Sequence, residues 1–225
     1  MGEALELPVA ALSLEPTRRR LSARQARTVQ KLTVAVVDEL NATGYDGLTI
    51  RNVARRAGVA PATAYTYFTS REHLVTEVFW RRLEALAVTA PDPCRSRTEL
   101  VSAALDDIAL LVADEPELAA ACSAALLAPD PDVKHLRDRI GIEVRRRLLA
   151  ALDGRVAGEL TIAELATDPS PELLTLELAL FGSLVQAGMG HLAYDELPAL
   201  LAGVVDLVIG GHEPGGASDD GGDRR

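Results

Sequence analysis

The sequence predicts an all-α fold: a three-helix N-terminal unit followed by a larger helical body. Three observations carry this. Ala and Leu dominate while aromatic residues make up 4% of the 225 positions, and the runs of Val, Ile, Tyr and Thr that favour strands are scarce. Capping residues and Gly or Pro stops recur at helix-length intervals. An apolar fraction of 48% with mean hydropathy +0.11 provides a core for such helices to bury.

The elements follow in order. Residues 1–20 are polar, contain Pro8 and Pro16 and end in Arg18-Arg19-Arg20, so a disordered, basic-ended arm is expected. Ser22 and Gln25 form a capping box, after which Val29, Leu32, Val36, Val37 and Leu40 recur at helical spacing until Gly44 supplies a stop. Thr49 caps a second helix whose Ile50, Val53, Ala54 and Ala57 share one face, and Gly58 ends it. A third helix begins near Pro61 and must be over by Phe68. Thr69 with Glu72 makes another capping box, opening a fourth helix that runs towards Ala90 until Pro91 and Pro93 break it. Residues 99–113, 116–128 and 133–152 read as helices, and 161–166 as a short turn. A long apolar helix extends from Ser170 to about Leu192, and a last one from Asp195 to about Ile209. Residues 211–225 are Gly- and Asp-rich and read as a disordered tail. The expected organisation is an arm at 1–20, a three-helix unit at 21–70, a body at 71–210 and a tail at 211–225.

The net charge of -10 hides an asymmetry. Residues 16–82 hold twelve Lys/Arg against five Asp/Glu, whereas residues 83–225 hold eleven against twenty-five. A basic end attracts phosphate, and an acidic remainder limits non-specific adhesion to nucleic acid; a merely solvated basic face fits the same count. Cys94 and Cys122 lack CxxC or Cys-His spacing, which fits free thiols in a reducing cytoplasm and argues against a metal site; a redox-sensing pair stays open. Glu3, Glu6, Glu15 and two prolines near the start are unlike a secretory leader. The apolar window 173–192 contains Glu177, Gln186 and His191 and is followed by acidic residues, so it reads as a buried helix and no membrane association is expected. The expected location is cytoplasmic.

The second and third helices carry the informative pattern. A helix-turn-helix needs two short helices at a steep angle, small residues where they cross, and a second helix free to enter the major groove. Ala54 and Ala57 allow the approach, Gly58 turns the chain, Val59 plugs the turn from inside and Phe68 anchors the far end. Thr63, Tyr65 and Tyr67 remain for the outer face, with an inward-facing Tyr65 or Tyr67 as the alternative.

The stretch TIRNVARRAGVAPATAYTYFTSREHL, residues 49–74, resembles the signature of the TetR family of one-component transcriptional regulators. The close match covers roughly residues 24–75; the body is similar only in helix number and length. The resemblance implies an N-terminal helix-turn-helix DNA-binding domain and a C-terminal ligand-binding and dimerisation domain. Carried over position by position, it implies that Arg51 reaches a base or phosphate at the groove edge and that Thr63 touches a base edge. Tyr65 and Tyr67 give phosphate hydrogen bonds, and Arg71 pairs with a phosphate beside the fourth helix. Thr49 and Ala62 complete that contact set, while Arg18 to Arg20, Arg24 and Arg27 lie along the flanking minor groove. Ala60, Ala62 and Ala64 depart from the larger or hydroxyl-bearing residues often found around such a helix, which thins the contacts.

The long helix SPELLTLELALFGSLVQAGMGHL is apolar almost all round and needs a second cover, with Gly182, Ser183, Ala187, Gly188 and Gly190 permitting close approach. The resemblance implies that it and the last helix form a four-helix bundle across a twofold axis; burial within one monomer is the alternative. An effector site belongs among the fourth to eighth helices, where Ala119, Ala120, Ala121, Ala124 and Ala125 occupy little volume. Phe79, Trp80, Cys122, Phe181 and Gln186 are the candidate ligand-binding residues, with His135 and Glu177 as further polar candidates and ordinary packing as the competing account of each. Because Phe79 and Trp80 lie on the fourth helix, a ligand touching them could shift the head.

The expectation is a homodimeric regulator, a repressor released from a double-stranded DNA operator by a small, largely apolar molecule, with no cofactor. The alternative is an all-helical small-molecule-binding protein without sequence-specific DNA binding. No nucleophile elbow, phosphate loop, metal-ligand spacing or carboxylate pair supports an enzyme.

Overall fold

The computed structural model describes residues 22–210, so the expected arm and tail lie outside the described residues. Within that span ten α-helices follow one another without a strand. The first is α1, Ala23–Gly47, with its regular turn interrupted at Gly44 (φ 65°, ψ 178°), followed by α2, Ile50–Arg56, α3, Pro61–Tyr65, and α4, Arg71–Ala85. The body adds α5, Arg97–Ala109, α6, Pro116–Leu126, α7, Pro131–Asp153, and α8, Ile162–Ala166. It closes with α9, Pro171–Gly188, and α10, Leu197–Val208.

Most of the punctuation is local chemistry. Ser22 and Gln25 complete the capping box of α1, Ser96 with Glu99 does the same for α5, and Thr161 with Glu164 for α8. Several boundaries differ from the sequence expectation, three of them at functional junctions. Ser70, not Thr69, caps α4, accepting from the His73 amide at 3.0 Å, because Glu72 is already engaged by Arg71 and Tyr45. Helix α4 stops at Ala85, where buried Arg147 of α7 donates to the carbonyls of Leu83, Leu86 and Ala87 and so satisfies the end of the helix from another element. Helix α9 stops at Gly188, and Gly190 follows at φ 77°.

One apolar core runs from Val29 in α1 to Ile209 beyond α10, passing from head to body through Leu74, Val75, Val78, Phe79 and Leu83 of α4. Helix α6 packs against both α1 and α4, and α7 packs against α4, α5 and α9. A smaller cluster around Ala150, Ala157, Leu160 and Leu165 closes the far end of α7. Burial of this extent is the main stabilising term, with each fully buried Leu contributing on the order of 2 kcal/mol. Among the described residues no helix is long and apolar enough to cross a membrane, and no cluster of His, Cys, Asp or Glu is arranged to hold a metal ion.

Candidate nucleic-acid interface

The head begins with a cap. Thr49 Oγ1 accepts the Asn52 amide at 3.1 Å and starts α2, which ends at Arg56, two residues before Gly58 at φ 65°. The Val59 amide then returns to the Ala54 carbonyl at 2.9 Å, which fixes the turn. Ala54, Ala64 and Phe68 are buried and Val59 is half-buried against the same core, so α3 is held from beneath. Ala60 precedes α3 without a side-chain cap, and Pro61 occupies the first turn, where a missing N–H costs little.

What is buried below decides what faces out. Arg51, Ala62, Thr63 and Tyr65 are exposed, Tyr65 by 52%, and the side chains of Arg51 and Arg24 have no partner among the described residues. Tyr67 is half-buried and packs on the core, yet with Thr63 it still borders a cleft of about 490 Å³ between α3 and the start of α1. The opposite wall of that cleft is cationic: Arg24, Arg27 and Lys31 share one face of α1 at helical spacing. Lys31 joins the expected Arg24 and Arg27 here, and its spacing from them in the sequence is the signal that marks it.

Arg71 is placed differently from the expected phosphate contact. Its guanidinium lies 4.4 Å over the Tyr45 ring, donates from Nη1 to the Tyr45 carbonyl at 2.8 Å and pairs with Glu72 Oε1 at 2.9 Å. Tyr45 donates its hydroxyl to the same carboxylate oxygen, and burial together with that carboxylate pushes the phenol up to about 12. The side chain thus joins the end of α1 to the start of α4. Arg56 pairs with buried Glu39 at 2.6 Å, tying α2 to α1, while Arg55 donates to Asn52 Oδ1.

A second concavity lies in the body, an apolar cavity of about 410 Å³ between α4, α5, α6, α7 and α9. Phe79, Cys122 and Phe181 line it, with Ala119 from the small-residue helix. Trp80 and Gln186 fall outside the lining. Trp80 is buried under the Arg139 guanidinium at 4.1 Å, and exposed Gln186 meets His191 Nδ1 at 2.8 Å. His135 is exposed, and Glu177 is buried in a two-point pair with Arg145 at 2.8 and 3.0 Å. Burial pushes the Cys122 thiol up to about 12, which keeps it protonated and a poor nucleophile at neutral pH.

The model for bacterial regulatory proteins of the tetR family matches residues 32–78, spanning most of α1 to α4. HTH-type transcriptional regulators of Mycobacterium bovis and Mycobacterium tuberculosis, described as uncharacterized, are 43% identical over 198 residues, covering 85% of this chain and 85% of theirs. The chain belongs to the TetR family. The HTH-type transcriptional repressor KstR of Rhodococcus jostii is 30% identical over 99 residues, covering 44% of this chain and 47% of that one. A TetR transcriptional regulator from Rhodococcus sp. RHA1 superposes with TM-score 0.65 at 19% identity, covering 84% of this chain and 99% of the other. FadR from Bacillus subtilis, solved in complex with stearoyl-CoA, superposes with TM-score 0.50 at 19% identity over 82% of this chain and 99% of that one. As a TetR-family member, the chain is a transcriptional regulator and not an enzyme.

Within this TetR-family chain, the head and the cavity are joined by polar contacts at the start of α4. Ser70 donates to Asp130 Oδ2 at 2.6 Å and Thr69 to Asp132 Oδ2 at 2.7 Å. Both acceptors stand at the start of α7, which also contributes Ile140, Gly141 and Val144 to the cavity wall. The sequence pointed to α4 alone as the element shared by head and cavity; α7 is bonded to the start of α4 and lines the cavity as well.

Proposed function

We propose that the protein is a repressor that reads a double-stranded operator with α3 and releases it when a small molecule occupies the cavity between α4 and α9. The observation that carries the DNA-reading half is the exposed row Arg51, Ala62, Thr63 and Tyr65, whose outward direction is set by burial of Ala54, Ala64 and Phe68 beneath it. Arg51 supplies a groove-edge contact, Thr63 and Ala62 meet base edges, and Tyr65 and Tyr67 meet phosphates. Arg24, Arg27 and Lys31 supply sequence-independent attraction along the adjoining backbone. Thr49 keeps a hydroxyl hydrogen to donate while its oxygen caps α2. Arg71 acts as a strut that fixes the head against α4.

The effector half rests on the cavity's size, apolar lining and position against α4 and α7. Phe79, Cys122 and Phe181 are its proposed ligand contacts. The stearoyl-CoA held by FadR and the repressor name of KstR support this reading. A ligand acts by preferring one of two head arrangements, because equal affinity for both shifts nothing.

The working form is a homodimer in the cytoplasm. Leu178 and Gly182 of α9 and Met189 just beyond it lie along one face, and Leu200, Gly203, Val204 and Leu207 along one face of α10. Leu178 and Leu207 are 63% and 81% exposed, an apolar surface suited to a second copy. The small residues divide between two jobs. A Cβ at Gly188 would overlap the Ser123 hydroxyl of α6, so that glycine serves packing within one chain, whereas Gly182 is open. A twofold pair of heads reads half-sites about 34–36 Å apart or a multiple of that distance.

The test is binding of the purified protein to DNA from upstream of its own gene, against a scrambled duplex of equal length, at about 150 mM salt where phosphate attraction is weakened. A preference of about a thousandfold, reduced by Arg51→Ala or Thr63→Ala, supports the reading. No motif from a random-sequence selection would transfer support to a ligand-binding protein without operator specificity.

A further inference from the structure

The geometry points to an amphipathic anion as the effector, its apolar part in the cavity and its acidic headgroup on Arg137. This rests on the cavity being the effector site and adds the chemical class of the ligand. Phe79, Ile108, Ala119, Ile140 and Val144, all buried, make an apolar inner wall, and the Cys122 thiol and the Ser123 and Tyr194 hydroxyls add only uncharged groups to the lining. The mouth differs. Leu127 and Phe181 are exposed there, and Arg137, also in the lining, has its guanidinium held at the carbonyls on either side of Leu127.

Arg137 is the cation among the lining residues. Its Nη1 donates to the carbonyls of Leu126 at 2.5 Å and Ala128 at 3.4 Å, which hold the side chain at the end of α6. Those partners carry only partial charge, and among the described residues no carboxylate pairs with it. Nε and Nη2 remain as donors for a planar or tetrahedral oxyanion. The neighbouring Asp138 would oppose an anion, but its carboxylate is turned to Lys134, which lies outside the lining and pairs with it at 2.7 Å. A carboxylate and a phosphate ester fit this arrangement equally well; both end an apolar body in an anion.

The experiment measures binding of dodecanoate, dodecanoyl-CoA and the uncharged dodecanol to the full chain by calorimetry, and release of the operator by each. Dodecanoate is expected to bind about tenfold or more tightly than dodecanol, the range of a hydrogen bond to a charged group. In Arg137→Gln that margin should vanish while dodecanol affinity stays within about twofold; Arg137→Lys, which keeps the charge, should retain part of it. Arg137-dependent binding of the CoA ester in preference to the free acid would support the proposal and assign the anion to a phosphate-bearing headgroup. Equal binding of acid and alcohol by the wild type, an acid preference that survives in Arg137→Gln, or no binding of any of the three would overturn it. Equal binding with operator release would leave the cavity as the effector site and remove only the anion, whereas loss of operator specificity is read separately in the DNA assay.

Discussion

Ser70 of α4 donates its hydroxyl to the carboxylate of Asp130 at 2.6 Å, so that the cap of one helix is bonded to the cap of another. Ser70 accepts the His73 amide and Asp130 accepts the amides of Asp132 and Val133. Helix α4 continues from the DNA-reading head and α7 walls the cavity, so this pair lies where a change in α7 reaches the head. Ser70→Ala should lower stability by about 1 kcal/mol through the lost cap. It should also weaken the coupling between effector and operator, read as a smaller effector-induced change in operator affinity.

The same bond sets a pH dependence. The Ser70 hydroxyl, with the Asp132 and Val133 amides, holds the Asp130 carboxyl below its usual value. A depressed folded value stabilises the protein above the unfolded value of about 3.9, and that contribution is lost as pH falls through the folded value. The melting-temperature gap between wild type and Ser70→Ala should therefore be full at neutral pH and narrow on acidification below about pH 4. A gap that stays constant across that range would remove Asp130 from the explanation.

Arg51→Ala and Thr63→Ala should each cost about 1–3 kcal/mol in operator affinity and leave the melting temperature unchanged, since neither side chain is buried. Arg24→Ala should weaken all sequences alike and reduce the salt slope by about one unit. Fluorescence anisotropy over a salt series separates the two behaviours.

Arg71→Ala should lower stability by about 1–2 kcal/mol, because it removes a carbonyl hydrogen bond, an ion pair and the contact over the Tyr45 ring. Thermal denaturation decides the matter: an unchanged melting temperature with weaker DNA binding would return Arg71 to phosphate contact.

Gly141 lines the cavity from α7, and a Cβ there meets nothing within 4 Å. Gly141→Ala should stabilise the protein by about 0.5–1 kcal/mol by restricting the unfolded chain. Gly141→Leu should fill the cavity and abolish the effector response while operator binding persists, a split visible in paired ligand and DNA titrations.

Leu207→Asp places a charge on the most exposed apolar position of α10. Sedimentation should show monomers, and operator affinity should fall by roughly tenfold or more as the paired half-site contacts are lost.

The head was legible in the sequence because its determinants act over a few residues. Thr49 caps its own helix, Gly58 takes a left-handed turn that a Cβ would oppose, and Pro61 starts the next helix within the same short stretch. Even there, the intramolecular partners of Arg71 are not legible. A cation at a helix start suits a phosphate as well as it suits a carbonyl, and the Tyr45 carbonyl that holds it is 26 positions away in sequence.

The body shows the other limit. Helical periodicity located α5 to α10 and marked α9 as apolar all round, since each helix writes its spacing into its own sequence. Which aromatic lines the cavity could not be read that way. Phe79 faces it and Trp80, the next residue, is covered by Arg139, because adjacent positions on a helix point about 100° apart and the packing partners decide which direction is hollow. Arg137 is a surface cation by sequence and a cavity-mouth cation only once α6, α7 and α9 have met. The sequence by itself determined the helices, the turn and the outward row of the head, which depend on neighbours along the chain. The cavity, its charged mouth and the Ser70–Asp130 link were decided by tertiary packing, which brings together residues 60 positions apart that carry no mark of one another.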